Sequence, residues 1–228
     1  MVIGNGLVAK AFMDYAWNEE FLIFASGVSN SKSSQVQDYN KEKDLFERIL
    51  AVNQDKTWVY FSTCSILDPD LQTTDYTIHK REMEDMIKQR INRYHIFRLS
   101  NLAGFSGNPN TVLNFFSHRI KNGLPFEYWK NAERNIIDVE DVFKIADYFL
   151  QKKLRINQTI NIANSWNYTV PYIVHCFEFF YHKKAIALEK EKGKHYFIQV
   201  SEMLPVSNLL DIQFGENYLP ELLLKYYS

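Results

Sequence analysis

The sequence predicts an α/β fold: a mostly parallel sheet with helices on both faces and a small C-terminal lobe. Three observations carry this. Short apolar runs near 21–25, 58–61 and 95–101 alternate with long helical patterns over 38–52 and 76–93, the spacing of strand–helix–strand units whose strands run parallel. The chain opens on Met1-Val-Ile3 and a Gly4-Asn-Gly6-Leu-Val-Ala9 turn that leads into a helical pattern. Its 228 residues, 46% of them hydrophobic, are enough for one large domain with its own core.

The totals exclude several classes. A net charge of −1 points to neither nucleic acid nor an anionic membrane as partner. Two cysteines, Cys64 and Cys176, make no disulfide framework and fit a reducing cytoplasm. The N-terminus lacks a basic region followed by an apolar core, and no apolar run approaches the roughly 20 residues of a membrane span. His175, His182 and His195 show no metal-ligand spacing, so no metal is expected.

In the Gly4–Ala9 turn, glycines let the backbone approach a pyrophosphate, and the helix that follows offers free N–H groups and a positive dipole end. Gly4, Gly6, Leu7 and Ala9 are therefore candidate dinucleotide contacts; a plain tight turn is the alternative. Phe21–Ala25 is the next strand, ending in Ala25-Ser26-Gly27. A helix is expected over Asp38–Val52, with Leu45, Phe46, Ile49 and Leu50 on one face.

Trp58–Lys80 is the stretch that carries chemistry. Val59-Tyr-Phe61 reads as a buried strand, and Ser62, Thr63, Cys64 and Ser65 stand at its end. After a turn at Asp68-Pro-Asp70, Tyr76 and Lys80 lie four apart on a helical pattern and share a face. A lysine one turn away favours the phenolate and lowers a tyrosine pKa from its usual value of about 10. A strand-end hydroxyl reaching the same substrate oxygen completes a group able to pass a proton while a hydride moves. In isolation, Tyr-x-x-x-Lys is more often a surface pair; the order strand, hydroxyls, helix makes it specific.

At this point the sequence resembles the short-chain dehydrogenase/reductases, and within them the extended branch of sugar-nucleotide epimerases, dehydratases and reductases. VYFSTCSILDP is similar to that family's segment with the catalytic Ser or Thr, and YTIHK to its Tyr-x-x-x-Lys. The resemblance implies a Rossmann-like fold, Thr63 as catalytic hydroxyl with Ser62 as fallback, Tyr76 as acid/base, and Lys80 lowering the Tyr76 pKa and holding the nicotinamide ribose. Dehydratases of the family carry Asp-Glu after that Thr; here Cys64 and Ser65 stand there, against a dehydratase. Cys64 is either an acid/base or substrate contact or a small core residue, and Ser65 is a substrate contact. FASGVSNS matches the strand whose end, at Ala25 and Ser26, passes beneath the nicotinamide ribose. HIFRLSNLAGFSG is similar to Arg-x-x-Asn-x-x-Gly, filled by Arg98, Asn101 and Gly104, and makes Asn101 a substrate contact. Arg134-Asn-Ile-Ile-Asp-Val-Glu-Asp141 resembles the segment whose Arg contacts the nucleotide diphosphate; for Arg134 a surface ion pair with Asp138 or Glu140 is the alternative. Asp138 and Asp141 read as caps of a helix over Val142–Leu150.

The remaining elements are a helix over Asn110–Asn122, a strand over Asn157–Ala163, a helix over Tyr168–Phe180 begun by Thr169-Val-Pro171, a solvated helix or loop over Lys183–Lys194, and a short helix over Tyr218–Tyr227. Residues 1–108 and 135–165 form mainly the Rossmann-like core, and 109–134 with 166–228 mainly the substrate lobe. One departure stands out. The family has a further strand–helix–strand after the first helix, where only Lys10–Glu20 remain here, so the adenine side of a cofactor site is trimmed and the acid that would read its ribose has no candidate.

The expectation is a homodimeric NAD- or NADP-dependent oxidoreductase or epimerase acting on a nucleotide-activated sugar, with helices 38–52 and 76–93 forming the dimer contact. The contrasting expectation is a relative that has lost dinucleotide binding and serves as a sugar-nucleotide or protein-binding module. A partner chain completing the cofactor site is a third.

Overall fold

The computed structural model describes residues 1–28 and 36–228. In order, its elements are β1 (Val2–Ile3), α1 (Leu7–Ala11), β2 (Phe21–Phe24), α2 (Val36–Leu50), β3 (Thr57–Thr63), α3 (Asp75–Arg90), β4 (Tyr94–Leu99), β5 (Asn101–Ala103), α4 (Val112–Lys121), β6 (Phe126–Trp129), β7 (Glu133–Asp138), α5 (Val139–Gln151), β8 (Gln158–Ile162), β9 (Asn167–Thr169), α6 (Val170–Tyr181), β10 (Ala187–Lys190), α7 (Leu204–Leu209) and α8 (Tyr218–Tyr227). The segment Ser29–Ser31, compared above with the end of the nicotinamide-side strand, lies outside the described residues.

The central sheet has five parallel strands in the order β1-β2-β3-β4-β8. Successive side chains on a strand point to opposite faces, and both faces are covered, so all seven residues of β3 are buried. Leu22, Phe24, Trp58, Tyr60 and Ile96 face Phe46 and Leu50 of α2 and Met83 and Ile87 of α3. Phe21, Ile23, Val59, Phe61 and Phe97 face Phe12 and the α5 residues Val142, Ile145, Ala146 and Phe149. The same apolar cluster runs on into α4, α6 and α8 through Phe116, Phe177 and Leu222, so the C-terminal lobe shares the main core.

Only β2 neighbours β1, which makes β1 the edge of the sheet among the described residues. Here the missing strand–helix–strand has a geometric result. α1 lies on the α5 face, while α2 and α3 lie on the other. Yet β1 to β2, β2 to β3 and β3 to β4 all step the same way along the sheet. The β1–α1–β2 connection therefore has the opposite hand to the two that follow. Parallel crossovers share one hand almost universally; a sheet that winds out through further strands before returning avoids this exception.

Several elements differ from the sequence reading. The strand expected over His95–Asn101 divides: β4 ends at Leu99, and β5 starts a second sheet, parallel to β7, which pairs antiparallel with β9. The charged run Lys183–Lys194 contains β10, parallel to β6. Its charges are the cross-strand ladder itself, with Lys190 3.2 Å from Glu127, Lys130 3.0 Å from Glu191, and Glu189 accepting from Tyr128. Such a polar ribbon has no apolar period to read. α5 begins at Val139, where the Asp138 carboxylate accepts the Glu140 N–H at 2.9 Å. Asp141 is no cap; it accepts the Tyr218 hydroxyl at 2.7 Å.

Candidate active site

The site grows from the end of β3. Thr63 is the last strand residue and caps the short 3-10 turn Cys64–Leu67, its hydroxyl accepting the Ser65 N–H at 3.1 Å. α3 then starts at Asp75 behind the Thr74 cap, which places Tyr76 in the first turn and Lys80 one turn on. The fold thus brings Thr63, Tyr76 and Lys80 together, and the Thr63 hydroxyl faces the Tyr76 phenol and favours its anion.

Lys80 is not presented as the sequence implies. Its side chain is 3% exposed. Nζ lies 3.1 Å from the Glu42 carboxylate of α2 and donates to the Tyr60 hydroxyl at 2.9 Å. Glu42 accepts four donors: Lys80, the Tyr60 hydroxyl at 2.8 Å, His79 Nε2 at 2.9 Å and the Val28 N–H at 2.8 Å. Burial opposes the Glu42 charge, but Lys80, His79 and Val28 outweigh it and hold the carboxyl at about 2. Gly27 closes the space above, since a Cβ there would stand 2.4 Å from Lys80 Nζ.

Lys80 does pull the Tyr76 pKa down, as the sequence implies, but it does not prevail. Burial pushes the phenol above its usual value, and Glu42 adds to that, against the opposing pull of Lys80 and Thr63. Two further sequence candidates also change role. Cys64 is 1% exposed with its thiol on the Arg98 carbonyl at 3.2 Å, and burial pushes the thiol pKa up; it is the small core residue, not a substrate contact. Ala9 is 1% exposed, so its side chain is closed off and does not face a cofactor.

The other candidates surround this centre. Gly4 adopts φ +124°, and a Cβ there would meet the Ala25 carbonyl oxygen at 2.4 Å; only glycine lets the turn pass so close to the end of β2. Gly6 caps α1 and is open, with Leu7 in the first turn. Ala25 donates its N–H to Ile3 at 2.8 Å, and Ser26 follows, partly exposed. Asn101, on β5, donates to the Asn135 carbonyl at 2.8 Å. Arg134 is partly exposed on β7 and donates to the Glu133 carbonyl at 2.7 Å; the charges proposed for it, Asp138 and Glu140, pair instead with Lys225 at 2.9 and 2.7 Å. Its guanidinium acts on Asp68 and on the partly buried phenol of Tyr196.

The sequence matches the NAD dependent epimerase/dehydratase family over residues 21–163. The chain belongs to that family. The matched stretch starts after the glycine turn, at β2, and ends after β8. A search of curated proteins returns no match. Among solved structures, the chain is similar to RMD from Pseudomonas aeruginosa complexed with NADPH, at 14% identity over 98% of this chain and 95% of that one, with a TM-score of 0.73. It is similar to dTDP-glucose 4,6-dehydratase from Bacillus anthracis in complex with NAD, at 14% identity over 99% and 79%, TM-score 0.71. A third is the UDP-N-acetylglucosamine 4-epimerase from Bacillus cereus, at 18% identity over 92% and 78%, TM-score 0.67. At these identities the likeness is one of fold.

Within the family's frame, the residues present fit one half of a nicotinamide dinucleotide. Nothing stands within 4 Å of where a Cβ at Gly6 would lie, which leaves room for a pyrophosphate beside the turn. Among the described residues β1 is the edge of the sheet, and no further strand end stands beyond it. Glu42, Tyr60 and His79 escaped the sequence reading. One signal was there: Glu42 stands four before Phe46 and eight before Leu50, on the apolar face of its helix.

Proposed function

We propose that the protein is an oxidoreductase or epimerase of a nucleotide-activated sugar, with Tyr76 exchanging the proton. The Thr63–Tyr76 pair at the end of β3, one helical turn from Lys80, carries this reading. A nicotinamide cofactor, NAD or NADP, supplies or accepts the hydride when bound at Gly4, Gly6, Leu7, Ala25 and Ser26. Thr63 orients the substrate oxygen, with its own hydroxyl fixed by the Ser65 N–H. Asn101 and Ser65 line the sugar side, and Arg134 contributes a planar guanidinium suited to the diphosphate. Homodimerisation through α2 and α3 belongs to the same reading. The test is turnover of 4-keto sugar nucleotides with NADPH or NADH, with Tyr76→Phe as control. Turnover abolished by Tyr76→Phe with nucleotide-sugar affinity retained supports the reading; no turnover, or turnover indifferent to Tyr76→Phe, removes it.

A second reading rests on a specific observation. Lys80 faces into the core under Gly27, and β1 is the edge of the sheet among the described residues, which favours a family member that binds a sugar nucleotide or a protein and no dinucleotide. Calorimetric titration with NAD, NADH, NADP and NADPH separates the two. Micromolar binding, near −8 kcal/mol, favours the enzyme. No heat at millimolar cofactor, with heat from nucleotide sugars, favours the binding module.

A further inference from the structure

Glu42 is a buried charge beside the site that accepts four hydrogen bonds, and nothing in the proton exchange above uses it. Its carboxylate, carried by α2, receives donors from three other segments: Lys80 and His79 of α3, Val28 beyond β2, and Tyr60 of β3. A carboxylate so held stays ionised, and at 3.1 Å it forms an ion pair with the one cation beside Tyr76 among the described residues. We propose that Glu42 is a positioning residue that fixes Lys80 and offsets its charge at Tyr76, so that Tyr76 serves as the proton donor of a carbonyl reduction.

The groups facing Tyr76 come from three sides. α2 contributes Tyr39 and Glu42, β3 and the turn after it contribute Tyr60, Thr63 and Cys64, and α3 contributes Lys80. Of these only Lys80 is cationic, and its partner is one carboxylate away. Two opposite charges a few ångströms apart act on a third group mostly as a dipole, whose influence falls off faster than that of a lone charge. With burial added, the phenol is favoured over the phenolate. A protonated phenol is the form that donates. In the step it suits, the carbonyl carbon gains the hydride of a reduced nicotinamide and the carbonyl oxygen gains the Tyr76 proton. The carbon is reduced, the nicotinamide oxidised, and the phenolate recovers its proton from water. The reverse direction needs Tyr76 to enter as phenolate, the form this site disfavours.

This inference rests on the oxidoreductase reading for its reaction, but its electrostatic part is testable without cofactor or substrate. The full chain is labelled with 13Cζ-tyrosine, and the Tyr76 resonance is assigned by its loss in Tyr76→Phe. In the wild type it should titrate only above the usual value of about 10. In Glu42→Gln, which keeps the shape and removes the charge, it should titrate about tenfold more readily, one pH unit lower. A wild-type Tyr76 that ionises below about pH 9 overturns the proposal, and this measurement stands even if the variant does not fold. An unchanged or higher Tyr76 titration in folded Glu42→Gln overturns it as well. If the sugar nucleotides give no turnover while the titration behaves as stated, the reaction reading fails and the role of Glu42 stands. With turnover in hand, reduction by the wild type should be flat in kcat through neutral pH, and Glu42→Gln should lose kcat at its alkaline end with KM little changed.

Discussion

Lys80 and Glu42 form an ion pair at 3.1 Å, with both side chains at 3% exposure or less. Removing one partner of such a pair leaves the other charged and buried, which costs about 3–5 kcal/mol. Lys80→Met or Glu42→Ala alone should therefore lower the urea midpoint sharply. The double change Glu42→Gln with Lys80→Met should recover part of the loss, because no lone charge remains. Single and double variants of equal stability would contradict the pairing.

Acid should unfold the protein in two overlapping stages with different owners. Burial lowers the His95 imidazole to about 4, so the folded state keeps it neutral while the unfolded chain takes up a proton below about 6.5. Stability from this source falls as pH drops from about 6.5 towards 4. Glu42 is held at about 2, so its contribution is complete above about 4.3 and is lost as pH falls from there towards 2. Each stage is worth about 3 kcal/mol. Denaturation at a series of pH values should show that His95→Gln flattens the upper stage and leaves the lower one. A persisting upper slope in His95→Gln would assign it to other groups.

The two glycines of the first turn should behave oppositely. Gly4→Ala places a Cβ 2.4 Å from a backbone oxygen at φ +124°, where the neighbour cannot give way, and should cost about 1–3 kcal/mol. Gly6→Ala meets nothing within 4 Å and should leave Tm nearly unchanged. If a pyrophosphate rests on this turn, Gly6→Ala should still weaken nucleotide binding, which calorimetry reads directly.

Asn135 ties the second sheet to the loop after β8. It is 1% exposed, donates to the Asn164 carbonyl at 2.7 Å and to Asn167 at 2.8 Å, and accepts the Asn164 N–H at 3.0 Å. Asn135→Ala strands these partners in the interior and should cost about 2–4 kcal/mol. A Tm within a degree of wild type would show that water replaces the side chain.

Much of the fold was legible because its signals are local. α2, α3, α8 and the strands between them follow apolar periodicity and caps, and Thr169 and Asp138 mark helix starts as their side-chain chemistry predicts. β10 was not legible, since a two-stranded exposed ribbon of paired charges looks like any solvated segment. In the candidate site the spacing of Tyr76 and Lys80 was legible; Glu42, Tyr60 and His79, which set its electrostatics, were not. Tyr76 and Lys80 announce themselves by spacing, but the direction in which Lys80 points depends on Glu42, 38 positions away in sequence. A one-turn spacing fixes which residues share a helix face and says nothing of what the opposing helix brings to meet them.

The edge position of β1 bears on cooperativity. β1 and the turn after it join the ladder through β2 alone, while Phe12 and Tyr15 anchor the residues that follow in the core against Phe61 and Asp147, so opening of this edge should leave the ladder from β2 to β8 intact. Low-energy local openings of this kind set amide exchange and proteolytic nicking. Because Gly4 and Gly6 belong to that unit, any ligand seated on the turn binds only its docked form. Its apparent affinity is the intrinsic one multiplied by the docked fraction, and the same ligand should slow exchange at Val2, Ile3 and Leu7 before any other part of the chain.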